Sequence, residues 1–394
     1  MTWRSPLLDR PGAVAASGPD AGVAWHYGDP VAEQRALERG AAVVDQSHLA
    51  VISVTGADRL TWLNSLTSQD LTALPPRRST ETLLLTPQGR LEAAVCVVDD
   101  GETTWLITEV AQRESLTKWL DSMRFAMRVE VVDVTDRWAV LGEAIAAEGN
   151  DGEPVTWWDT WPEVRAGGTR YGVATEDHPG VERAWRLVLV PRDQLETEIF
   201  GREQAGWRLA GTWASEAIRI AAWRPRFARE VDERAIPHEV DWLRTAVHLH
   251  KGCYRGQETI ARVHNLGKPP RRLVQLHLDG SVDTLPAPGS VVKLGAKTVG
   301  FVTSSARHHI EGPIALALIK RATALGEELM VEAIEASVAT VEQGTEPVET
   351  AVAPTLVAAT QVEVVSAEGL SVDRPAGHGP LLKGLPRTGM IGRP

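Results

Sequence analysis

Two apolar runs, Leu83-Leu84-Leu85 and Leu91 to Val98, are separated by only five residues, Thr86-Pro87-Gln88-Gly89-Arg90. A connection this short closes a β-hairpin and cannot hold the crossover helix that parallel neighbours require. The surrounding segments fit the same picture. Val51 to Gly56 alternates as a strand, Asp99-Asp100-Gly101 is a turn before the strand Thr103 to Thr108, and Arg128 to Val134 reads as another strand. Ala111 to Met123 has the spacing of an amphipathic helix. Leu60, Leu63, Leu66 and Leu74 recur at near-helical intervals, with Pro75-Pro76 expected to end that helix. Strands and helices joined by hairpins make an α+β unit, not a doubly wound parallel sheet.

With 394 residues the chain has room for two or three such units. The first is expected over residues 25–135, including Val43-Val44-Asp45. A second, over 136–270, opens with Trp138 to Leu141 and contains the strand Trp185 to Val190 and the helix Trp213 to Trp223. From Arg271 to Val341, short alternating segments with turn residues between them predict a small β-barrel or sandwich. Residues 342–394 turn to Glu, Pro, Thr, Val and Ala without a period, a composition that predicts disorder. Within it only Val362-Glu363-Val364-Val365 looks strand-like, and no partner strand is assigned to it. The expected fold class is α+β: two mixed α/β units, a small C-terminal β-barrel and a disordered tail.

A formal charge of −11 argues against a protein that coats nucleic acid through a global positive field. Between Arg219 and Arg272 the balance reverses, and an anionic ligand would be drawn there. No apolar run approaches the roughly 20 residues of a membrane span, and the first residues carry no secretory h-region, so a cytoplasmic protein is expected. The two cysteines make no disulfide framework. Cys96 lies in an apolar run and reads as a buried structural thiol. The 14 tryptophans are read mainly as packing residues.

The most informative stretch is Lys251-Gly252-Cys253-Tyr254-Arg255-Gly256-Gln257-Glu258. Two glycines, Gly252 and Gly256, bracket a thiol, an aromatic ring and a cation, which is loop chemistry rather than core. Ala246 to His250 alternates as a strand before it and Thr259 to His264 reads as a helix after it, a common setting for binding groups. Cys253 lies between Lys251 and Arg255, whose charges would favour thiolate, so a reactive thiol is weighed against a structural one. His248, His250 and Cys253 offer three ligands without a fourth, and no metal site is expected there. Two cysteines are also too few for a resident iron–sulfur cluster.

These eight residues resemble the motif of YgfZ-like proteins in the aminomethyltransferase (glycine cleavage T-protein) superfamily. The resemblance extends through Glu216 to Ile220, Pro225-Arg226-Phe227, Ile236 to Glu239, Asp45 to His48, Leu63 to Asp70 and Thr86 to Arg90, covering roughly residues 25–340. It implies two T-protein-type α+β domains and a barrel around a cavity for tetrahydrofolate or a derivative. It further implies an accessory role toward iron–sulfur enzymes or assembly factors, with an influence on tRNA modification. Lys251, Tyr254, Gln257, Glu258, Arg262, Gln69 and Asp70 are the expected folate-binding residues, and Cys253 the candidate catalytic thiol. Where T-proteins carry paired aspartates, this chain has Ala93 and Ala94. Alanine supplies no general acid or base, help typically worth about 10² to 10⁴ in rate, so aminomethyl transfer is not expected. A folate-dependent one-carbon enzyme using another acid is the second reading, and a tRNA-binding module using the Arg219 to Arg272 run the third.

Overall fold

The structure, a computed structural model, describes residues 3–145, 154–265, 267–333, 355–371 and 373. The hairpin forms as expected: Ser79–Leu85 pairs antiparallel with Leu91–Asp99. Thr103–Glu109, Leu49–Thr55 and Glu130–Asp133 extend the sheet in that order, every pair antiparallel. Because side chains alternate along a strand, Leu91–Asp99 serves two layers. Ala93, Val95 and Val97 pack under the helices Arg59–Leu66 and Arg113–Ser122 with Trp62, Leu63, Leu116 and Leu120. Ala94 and Cys96 face the other way.

The helix expected to run to Pro75-Pro76 stops at Thr67, whose backbone is extended at φ −123° and ψ 168°. Tertiary bonds replace the next helical turn: Ser68 N donates to Leu83 O at 3.1 Å. Leu71 is still buried, but from a loop, so the leucine spacing reported burial without reporting helix.

A second five-stranded sheet has the order Thr156–Trp158, Arg186–Pro191, Trp138–Glu143, Ala42–Asp45, Arg208–Ala210. Its last pair is parallel. Ala42–Asp45 therefore belongs here, paired with Trp138–Glu143, and not to the first sheet with its sequence neighbours. All four of its residues are buried, so the strand carries no one-sided pattern by which to choose a sheet. The two sheets pack face to face through Val98, Ile107, Val140, Trp157, Trp185 and Leu187.

Six strands close the C-terminal barrel in the order Arg271–Leu278, Gly312–Lys320, Lys297–His308, Val291–Leu294, Leu329–Ala333, Thr355–Glu363. The sixth lies inside the stretch expected to be a disordered tail. It pairs with Arg271–Leu278 on one side and Leu329–Ala333 on the other, which removes both open edges. Val357 and Ala359 point into the barrel core. A strand this poor in large residues contributes mostly ladder hydrogen bonds, and composition does not register those. The other residues of the stretch, 342–354, 372 and 374–394, lie outside the described residues. Among the described residues no helix is long and apolar enough to cross a membrane.

Candidate functional site

Between the two sheets lies a cavity of about 140 Å³, closed on one side by the helix Thr212–Ala221 and the segment Arg224 to Phe227. Its apolar walls include Trp157, Trp185, Trp242 and Leu187. Trp185 reaches this position because residue 142 is glycine: a Cβ there would lie 2.5 Å from the indole. The Arg183 guanidinium sits over the same ring, 4.9 Å from its centre.

The polar wall is a buried ion-pair network. Arg224 grips Glu81 through two bonds of 3.1 and 2.8 Å and donates a third of 3.0 Å to Asp159. Asp159 also accepts from Arg183 at 2.8 Å. Arg219 is held by Glu216 at 2.8 and 2.9 Å and by Glu230 at 3.0 Å, and Arg226 by Glu109 and Asp20 at 2.7 Å each. Burial pushes the Asp159 carboxyl up, but Arg224 and Arg183 outweigh it and hold the group below the usual range. Burial likewise opposes ionisation of Glu216, and Arg219 and Arg226 again prevail. These carboxylates are charged and committed, so Asp159 and Glu216 are not free general bases.

Ala94 occupies the cavity wall, while Ala93 is buried on the opposite face of the strand. The neighbouring thiol on the cavity face is Cys96, pushed well above its ordinary value by burial and by Glu81. Cys96 packs against the core between the sheets, as its apolar run predicts, and is also part of the cavity wall. Four cavity-lining residues carry buried polar atoms without a hydrogen-bond partner among the described residues: His48 Nδ1, Arg183 Nε, Thr212 Oγ1 and Trp242 Nε1. Unsatisfied buried donors are uncommon and indicate where a polar ligand or water belongs.

The predicted binding residues gather elsewhere. Lys251 Nζ donates to three backbone carbonyls, those of Asn64 at 2.6 Å, Thr67 at 2.8 Å and Gln69 at 2.6 Å. It thereby caps the carbonyl end of the Arg59–Leu66 helix, and burial lowers its pKa to about 8. Gln69 is buried and donates to Thr245 O at 2.7 Å, whereas Asp70 is exposed and accepts from Thr72. Tyr254 is buried beneath the Lys251 ammonium, 5.3 Å from it. Gln257 reaches back to Lys251 O at 3.4 Å. Glu258 and Arg262 are exposed on the helix Gln257–Asn265, and Gly252 is exposed in the loop. Gly256 takes φ +84°, and a Cβ there would lie 2.6 Å from Thr86 O, so glycine lets the loop lie against the first hairpin turn. The expected strand before the loop is absent. His248 N and Leu249 N donate instead to Ser68 O and Gly167 O, two separate segments that make no ladder.

None of these residues lines the cavity. One path joins the two regions: Gln69 holds the Thr245 carbonyl, and the Thr245 hydroxyl donates to Glu81 in the cavity wall. Cys253 is exposed, and its flanking cations turn elsewhere, Lys251 to carbonyls and Arg255 to Glu92 at 2.6 Å. Native protein treated with iodoacetamide should lose one thiol quickly and the second only in denaturant, and Cys253→Ser should remove the fast phase. Fast loss of both thiols in the native state would mean that Cys96 is not enclosed.

The basic run is largely consumed. Arg219, Arg224, Arg226, Arg229, Arg244, Arg255 and Arg271 all pair with carboxylates. The acids that neutralise them, such as Asp20, Glu81 and Glu109, come from distant parts of the chain, so the run seen in sequence is not a free positive face.

Two sheets enclosing a charged, tryptophan-walled cavity, with a closed barrel beside them, define a three-part α+β protein built around an internal polar chamber. Residues 11–143 match the GCVT N-terminal domain, and residues 271–347 match the glycine cleavage T-protein C-terminal barrel domain. The chain belongs to the glycine cleavage T-protein superfamily. It is 25% identical over 343 residues to an aminomethyltransferase of Rubrobacter xylanophilus, covering 83% of this chain and 90% of that protein. It is 27% identical over 304 residues to a putative chloroplastic transferase of Arabidopsis thaliana, At1g60990, spanning 68% of this chain but only 62% of that protein. The crystal structure of aminomethyltransferase T from Bartonella henselae has the same fold, with a TM-score of 0.70 at 15% identity over 93% of this chain and 97% of that one.

Proposed function

We propose that this chain binds a reduced folate in the central cavity without catalysing aminomethyl transfer, and that it serves iron–sulfur enzymes or their assembly factors as an accessory protein. The observation that carries the reading is the cavity itself. It has indole walls, unpaired N–H groups on Arg183 and Trp242, and alanine and a neutral thiol where the strand Leu91–Asp99 faces inward. The residues fit a pterin head group. Trp157 and Trp185 offer faces for stacking, and unpaired donors call for acceptors such as the 4-oxo group and ring nitrogens of a pterin. A space of about 140 Å³ is smaller than the roughly 300 Å³ at which sites for whole drug-sized ligands begin, so the remainder of a folate would extend out of the cavity.

When bound, a reduced folate supplies ring nitrogens that can carry one-carbon units. This chain's residues would orient the ring and exclude water, but they offer no free carboxylate at position 94 to move a proton. The accessory role rests on the likeness of Lys251 to Glu258 to the YgfZ-like motif, and its exposed face, with Cys253, Glu258 and Arg262, is where a partner would meet the chain.

Calorimetry with tetrahydrofolate tests the binding. Micromolar affinity is expected for wild type and for Cys253→Ser, with at least a tenfold loss in Ala94→Phe, which fills the cavity. Failure of the wild type to bind would remove the folate reading. Methylene-tetrahydrofolate formed from a methylamine donor above background would favour the one-carbon enzyme instead.

A further inference from the structure

Away from the cavity, the tip of the barrel hairpin formed by Lys297–His308 and Gly312–Lys320 docks on the helix Pro30–Glu38. Gln34 Nε2 donates to Arg307 O at 3.0 Å, and Gln34 Oε1 accepts from His309 N at 3.0 Å. One turn further on, Glu38 lies between two imidazoles. Its Oε1 is 3.0 Å from His308 Nε2, and its Oε2 is hydrogen-bonded to His309 Nε2. Adjacent residues of a regular strand point to opposite faces. Here the strand ends at His308 and the turn brings His309 to the same side, with ring centres 5.0 Å apart and planes inclined at 40°.

We propose that Glu38, His308 and His309 form a binding site for a divalent first-row transition metal such as zinc, which clasps the barrel to the Pro30–Glu38 helix. All three ligating atoms lie within 4.8 Å of one another, so an ion can take the place of the shared protons with small side-chain shifts. Two imidazoles and a carboxylate are an established zinc ligand set, with solvent as fourth ligand. The imidazoles are well buried, at 6% and 8% exposure, and Glu38 is 33% exposed, so the ligands are held in place while solvent retains access. His308 Nδ1 accepts the backbone N–H groups of Ile310 and Glu311 at 3.4 and 3.3 Å, which fixes the ring with Nε2 turned toward Glu38. The three residues come from positions 38 and 308–309, which is why no local ligand spacing marks the site in the sequence. The donor set favours zinc, nickel or copper over magnesium or calcium, which prefer oxygen ligands.

Zinc chloride titrated into tag-free, chelator-stripped full-length protein tests the proposal by calorimetry and thermal denaturation. Wild type is expected to bind one ion per chain and to melt at a higher temperature with zinc. Glu38→Gln and His309→Asn are expected to bind at least about tenfold more weakly, without the thermal gain. Glu38 is partly exposed, so Glu38→Gln should fold even if His308→Asn does not. His250→Ala should behave as wild type. Unchanged affinity in Glu38→Gln, loss in His250→Ala, or no binding by wild type would each overturn the site.

Discussion

Arg224→Ala should lower the stability of the protein by about 3–5 kcal/mol, the largest effect expected of any single substitution in the cavity wall. The guanidinium holds both oxygens of Glu81 and one of Asp159, and both carboxylates are almost completely buried. Removing it strands two negative charges between the sheets, leaving Asp159 with Arg183 and the Trp161 N–H, and Glu81 with the Thr245 hydroxyl. The cost comes from the uncompensated acids more than from the lost contacts. Urea titration measures it, with Arg128→Ala as reference. That pair, with Asp58, has its arginine 75% exposed, where solvent screens the charges, and its loss should shift the midpoint far less. Similar midpoints for the two variants would mean that water, not protein, solvates the cavity carboxylates.

For Lys251→Met the expected loss is about 2–4 kcal/mol, because three carbonyls at and just beyond the end of the Arg59–Leu66 helix lose a charged donor at once. This reverses what the motif alone suggests, since a ligand-contacting lysine would cost affinity and little stability. The sign of the pH dependence separates the two cases. Burial lowers the Lys251 pKa from 10.5 to about 8. Between those values the unfolded chain binds more protons than the folded one, so stability rises with pH across that window. The difference between wild type and Lys251→Met should therefore widen from pH 8 toward 10.5 and be smallest below pH 8. A difference that stays flat, together with loss of tetrahydrofolate binding at unchanged stability, would return Lys251 to the ligand.

How much of this was legible in the chain depends on the range of the interaction involved. The hairpin at Thr86 to Arg90 and the short strands after Arg271 are nearest-neighbour features, readable as such. Gly256 was readable as a backbone requirement, although its partner, Thr86 O, was not. Lys251 to Glu258 concentrates unusual residues and so suggests a ligand site, yet its polar groups mostly secure a helix end, a hairpin turn and one another. Nothing in the sequence marks Glu81, Asp159, Arg183 and Trp185 as cavity residues. Each sits in ordinary strand or loop sequence, and nothing local distinguishes a tryptophan that packs from one that walls a chamber.

The sequence by itself determined the α+β class, the antiparallel hairpins and the barrel. Period, turn chemistry and side-chain identity act over a few residues, and the chain states them directly. Tertiary structure alone decided that Ala42–Asp45 joins the second sheet, that Thr355–Glu363 closes the barrel, and that Arg219, Arg224, Arg226 and Arg229 face acids instead of solvent. Glu81 and Arg224 are 143 residues apart, and Glu38 and His309 are 271 apart. A charge acquires its partner, and a histidine its carboxylate, only when the packing of whole sheets brings them within hydrogen-bonding distance.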